Sequence, residues 1–217
     1  MPHLFRNLRH FVFSTASIVL LIAVLLVGRP AYAACLGDPN AVVVRSVYVV
    51  PQFSPTHLYA AWAPVLEKVG MYAKSCFELH IPATIPAFEK DILAGKADFA
   101  FMNPYHLVMS RRAQGYEPLL ADGTLLLDGI IVVKSDSPIT SITELKSKKI
   151  AFPSPNAFGA SLLMRSLFSK AHIPINPVYV RTHGNVYRAV IVGDVDAGGG
   201  INALLYGGEG NDSCGDL

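Results

Sequence analysis

From residue 42 onward, short β-branched runs alternate with stretches whose apolar positions recur every three or four residues. The run 41–50 predicts a strand, and the prolines at 51 and 55 bracket a turn after it. Leu58, Trp62, Val65, Val69 and Tyr72 then fall on one face of a helix. Pro64 interrupts that pattern, which implies a kink or a late regular start. A second strand is expected over 77–81, followed by a helix capped by Thr84, with Pro86 in its first turn and Gly95 at its end. A third strand covers 97–102. Asn103 then caps a helix opened by Pro104 and closed by Gly115. Extended runs at 117–121 and 129–134 complete this half.

The second half repeats the logic. Ser141-Ile142-Thr143-Glu144 has the form of a capping box. Strands are expected at 149–152, 177–180 and 195–197, and helices at 158–171 and 185–192. Strand–helix alternation with such short connections predicts an α/β fold with two mostly parallel sheets. The halves divide into a first lobe at 42–125 and a partial second lobe at 130–200, joined near 122–129. Residues 201–217 are glycine-rich, polar and without periodicity.

The first 33 residues differ from the rest. Arg6, Arg9 and His10 precede an apolar or small run from 11 to 28, and Ala31-Tyr32-Ala33 supplies small residues before Ala34. Together these make a secretory signal with cleavage before Ala34. Retention as a membrane anchor, or a lipid on Cys35, are the alternatives. Removing 1–33 takes away Arg6, Arg9 and Arg29 and no acid, which turns the formal +2 into −1. The basic balance therefore belongs to targeting, and no nucleic-acid partner is expected. With 52% hydrophobic and 16% charged residues, disorder is excluded as well. Of the three cysteines, Cys35 precedes the first strand and Cys76 starts the second, so parallel neighbours would allow a Cys35–Cys76 bridge. No metal-ligand spacing occurs, and neither metal nor cofactor is expected.

Sheets of this kind bind ligands beyond the carboxyl ends of their strands, where helix N-termini present unpaired N–H groups. Four junctions qualify: Ser54-Pro55-Thr56, Asn103-Pro104-Tyr105, Asn156-Ala157-Phe158-Gly159, and Thr182-His183. Two lie in each half, so a cleft between the halves would suit a small-molecule anion. The candidate ligand-binding residues are thus Ser54, Thr56, Asn103, Tyr105, Asn156, Ala157, Phe158, Gly159 and His183. Each also has a plainer reading as a helix cap or packing residue. His57 and His106 are weaker candidates, and Arg111-Arg112 reads as a solvated helix face.

At these residues the chain resembles the periplasmic substrate-binding proteins of phosphate/phosphite/phosphonate ABC transporters, from about Val47 to Gly200. Ser54-Pro55 with Trp62-Ala63-Pro64-Val65-Leu66, the element 92–100 around Asp98, and Asp136-Ser137-Pro138-Ile139 leading to Ala151-Phe152 carry the likeness. His183 and Val195-Asp196-Ala197-Gly198 keep the family's second-lobe order. The resemblance implies a bilobed, type II periplasmic-binding-protein architecture. It further implies an exported, monomeric, non-catalytic protein of the periplasm that delivers an oxyanion to an ABC transporter permease. Two features depart from the family. Ala157-Phe158-Gly159-Ala160 stands where a Ser-Thr-Ser-Gly cluster is usual, and Ile85 where an aromatic residue is usual. The family's chain also continues further, which implies an incomplete second lobe and return to the first lobe. A membrane-anchored sensory domain and an inactive truncated fragment are the competing expectations.

Overall fold

A computed structural model of the chain describes residues 35–121, 123 and 127–202. Residues 1–34, which include the expected signal, and the tail beyond 202 lie outside the described residues. The chain divides into two compact units, Met1–Cys35 and Leu36–Leu217. Cys35, the described residue of the first unit, is disulfide-bonded, and so is Cys76.

The first sheet contains β1 (Leu36–Gly37), β2 (Val44–Val49), β3 (Cys76–His80) and β4 (Phe99–Phe101) in the order β1-β3-β2-β4. The last three are parallel and β1 is antiparallel to β3. The second sheet contains β5 (Gly129–Val132), β6 (Lys149–Phe152), β7 (Asn176–Tyr179) and β8 (Ala197–Ile201) in the order β5-β8-β6-β7. Here β7, β6 and β8 are parallel and β5 is antiparallel to β8. Three expectations change. Residues 117–121 form no strand. The run at 129 pairs with the second sheet rather than completing the first half. The last strand begins at Ala197 instead of 195 and continues to Ile201, into the stretch expected to be irregular.

Helix α1 (Pro55–Ala73) is one element of 19 residues that continues through Pro64. Helices α2 (Ile85–Leu93) and α3 (Pro104–Gln114) start at the expected caps: Thr84 accepts the Ala87 N–H at 3.3 Å and Asn103 the His106 N–H at 2.9 Å. Gly115 closes α3 in the left-handed region at φ 76°. The capping-box segment is a short 3₁₀ turn, Ile142–Leu145, whose Glu144 accepts the Thr140 and Ser141 N–H groups at 2.7 and 2.9 Å. The helix expected from 158 opens instead as a π-helix, Phe158–Leu163, and continues as α4 (Met164–Lys170). Finally α5 (His183–Ile191) begins after Thr182, two residues earlier than expected.

Strand β6 shows why both faces of the second sheet are covered. Ile150 and Phe152 pack with Leu145, Phe168 and Ile173, while Ala151 packs on the other side with Val186, Tyr187 and Val190. That is the period-two alternation of a central strand. At the amino ends of the parallel strands, one carboxylate in each sheet fixes the central strand. Asp98 accepts the Ser46 N–H at 2.8 Å, and Asp196 accepts the Lys149 N–H at 2.9 Å. These backbone bonds hold both carboxyls below the ordinary carboxylate value. The aspartate of the 92–100 element is therefore structural.

Strand β8 is Ala-Gly-Gly-Gly-Ile and wholly buried. A side chain on Gly199 would overlap the carbonyl oxygen of Ala160 and lie 2.5 Å from Phe152 Cδ1. The π-helix can approach the sheet this closely only because β8 lacks side chains there. Gly199→Ala is expected to cost about 3 kcal/mol, read as a lower urea midpoint at unchanged slope.

Candidate functional site

The carboxyl ends of the parallel strands meet at a cavity of about 10 Å³, lined by residues of both sheets' layers. From the first come Val50, Gln52, Ile85 and Asn103; from the second come Ala157 to Ala160, His183 and Ile201; Leu127 joins them from the connecting segment. The apolar floor is continuous across the two, since Val50, Ile85 and Phe88 pack in one cluster with Ala157, Ala160 and Ile201.

Four helix starts converge here. Ile85 opens α2, Asn103 caps α3, Ala157 precedes the π-helix, and His183 opens α5. The first N–H groups of a helical segment have no intrahelical acceptor and carry the positive end of its dipole. Among the described residues, no lining side chain is acidic, lysine or arginine. The cavity's electrostatic character therefore comes from backbone dipoles, with no fixed countercharge among its lining side chains. Asn103 spends its side-chain oxygen on the His106 N–H, which leaves its amide NH₂ as a donor.

His183 is buried, and its Nδ1 has no hydrogen-bond partner. Burial lowers its pKa from the ordinary 6.5 to about 4, so the ring is neutral at neutral pH.

Five of the nine sequence candidates line this cavity: Asn103, Ala157, Phe158, Gly159 and His183. The other four do not. Ser54 is an exposed cap of α1, accepting the His57 N–H at 3.4 Å, and Thr56 is exposed in the same turn. Tyr105 is half-buried with its ring 6.3 Å from that of His106, and Asn156 is half-buried in the turn before Ala157. His57 stacks on Phe53, and the buried His106 reaches Glu89 at 3.0 Å, tying α3 to α2. Sequence reasoning missed Val50, Gln52, Ile85, Leu127, Ala160 and Ile201 as lining residues. Gln52 alone carried a signal, as the polar residue between a strand end and a helix start.

Two mixed α/β layers with a site at the junction of their strand ends define a type II periplasmic-binding-protein fold. Solved structures agree. PhnD1 from Prochlorococcus marinus (MIT 9301), in complex with methylphosphonate, is similar with a TM-score of 0.70 and 14% identity, over 79% of this chain and 68% of that one. A binding-protein component of an ABC phosphonate transporter from Pseudomonas aeruginosa gives 0.62 and 15%, over 76% and 61%. A Xanthomonas citri protein bound to chloride ion gives 0.54 and 17%, over 75% and 66%. The chain thus spans about two thirds of the length of these structures. No curated protein matches it by sequence. Residues 47–208 match the family described as "ABC transporter, phosphonate, periplasmic substrate-binding protein", and the chain belongs to that family. The family is one of periplasmic substrate-binding transport proteins that work with membrane permease components.

The His183 shift sets a pH dependence. The unfolded chain binds a proton below about pH 6.5, whereas the folded one binds it only near 4. Stability is therefore full above 6.5 and falls as pH drops through this window, by about 3 kcal/mol in all. Denaturant midpoints measured from pH 7 to 4 should show this loss, and His183→Gln should flatten the curve.

Proposed function

We propose that this chain is the exported substrate-binding component of an ABC importer and takes a small oxyanion of the phosphonate class between its two sheets. The convergence of four helix starts on a cavity without charged side chains among the described residues carries this reading. Such a site offers an anion several N–H donors whose orientation is fixed by the fold before binding. His183 adds an imidazole that is neutral in the closed cavity and gains stability as a cation once an anion lies beside it. The Ala157-Phe158-Gly159-Ala160 turn offers no hydroxyls, so its contribution is backbone N–H together with the apolar wall of Phe158.

The cavity accommodates about one water. Entry of an oxyanion therefore requires the two layers to separate and close again over it. Closure makes the bound form distinct from the free form, which is what a permease needs in order to select loaded protein. Charge-assisted N–H bonds after closure are compatible with micromolar affinity, roughly −8 kcal/mol. The protein acts as a monomer, performs no catalysis, and reaches the periplasm through the N-terminal signal.

Calorimetric titration with methylphosphonate, phosphite and sulfate tests the reading. At least one is expected to bind, and His183→Ala or Asn103→Ala to weaken it about tenfold, in line with one lost charge-assisted hydrogen bond. No binding heat and no thermal shift with any of the three would refute it. Sequencing the exported protein from its amino end should give Ala34 first; retained Met1 would instead mark an anchor.

A further inference from the structure

A second cavity of about 310 Å³ is built from the same two segments as the first. Ile85 and Ala157 line the small cavity, while their neighbours Thr84, Pro86, Ser154 and Pro155 line the large one, together with Tyr179 and Arg181. Its volume lies at the lower end of the range for organic-ligand sites and far exceeds a bare oxyanion.

The donors in this cavity are unusual. Ser154 is 2% exposed and its Oγ is buried, so it lines the cavity without turning its hydroxyl to it. Thr84 uses its Oγ1 to accept the Ala87 N–H, which leaves the hydroxyl proton free to be donated. Among the described residues, Arg181 is the single charged side chain lining the cavity; it is exposed and makes no ion pair there.

The backbone holds Arg181 in place at a cost. Its φ is 79°, a conformation that non-glycine residues rarely adopt. The flanking bonds enforce it: Val180 N–H donates to Phe152 at 2.9 Å, the Asn185 side chain donates to the Val180 carbonyl at 2.8 Å, and Thr182 caps α5. The prolines fix two walls of the cavity and bring no N–H of their own.

The Thr84 hydroxyl and the Arg181 guanidinium, with no carboxylate among the described lining residues, select for negative charge, and the planar guanidinium fork matches a carboxylate. We propose that this outer cavity binds a second anionic group, a carboxylate, on a ligand whose oxyanion head occupies the inner cavity. The ligand class is then a phosphonocarboxylate rather than a simple alkylphosphonate. This rests on the oxyanion reading of the inner cavity.

Calorimetry with two probes, methylphosphonate and phosphonoacetate, separates the possibilities. Wild-type protein is expected to favour phosphonoacetate by about tenfold, the scale of one charge-assisted pair, and in Arg181→Gln that ratio should fall to about one. Arg181→Gly should lose the ratio while melting at the same or a higher temperature, as the strain at φ 79° is released. Equal affinities in wild type, or a preference that survives in Arg181→Gln, would overturn the outer subsite and leave the inner one standing. Failure of both probes to bind wild-type protein would overturn both.

Discussion

The close approach of the π-helix Phe158–Leu163 to strand Ala197–Ile201 is the contact from which the rest of the site follows. A strand of three consecutive glycines gives up side-chain packing and β-propensity, and in the centre of a sheet that is a real loss. The gain is that helical backbone lies almost directly on strand backbone, with the Ala160 carbonyl where a Gly199 side chain would be. The approach brings Ala157 and Ala160 within reach of Tyr48, Val50, Ile85 and Phe88, and Ile201 joins the same cluster. The apolar floor of the cavity is thus shared by both halves. Bulk added on the strand would push the turn outward and separate that floor.

The two ends of the parallel strands are electrostatically unlike. At the amino ends, Asp98 and Asp196 accept backbone N–H groups and fix β2 and β6. At the carboxyl ends, the cavity lining carries no carboxylate, and four helix starts point their positive ends at it. Acidic side chains are therefore used for strand anchoring, away from the place where they would repel an anion. His183 fits the same division, since burial keeps it uncharged.

The elements that were legible in the sequence are those with local causes. Thr84, Asn103 and Gly115 bound α2 and α3 because a cap needs only a side-chain oxygen, or a left-handed residue, within a few positions. Strand Lys149–Phe152 was legible because its β-branched and aromatic residues sit between polar ends. Three elements were legible only in part, for non-local reasons. Residues 198–200 carry no side chains and are strand only because β6 and β5 pair on either side. Residues 129–132 have strand composition, but nothing local says which sheet they join. The π-helix at 158–163 arises where the turn must fit against β8 and the residues of the first half.

The sequence by itself determined the alternation of strands and helices, the helix starts, and hence that donor groups gather at the carboxyl ends of the strands. It also singled out Asn103, His183 and the Ala157–Gly159 turn, because residues before and at a helix start are recognisable from short-range chemistry. Only the tertiary structure decided which starts share a cavity, leaving Ser54, Thr56, Tyr105 and Asn156 outside it. Only there do Ser154 and Arg181, 27 residues apart in the chain, line one space with Thr84. Capping is a matter of neighbouring residues and is written in the chain. Convergence depends on sheet order, close backbone approach and packing between distant segments, none of which has a local signature.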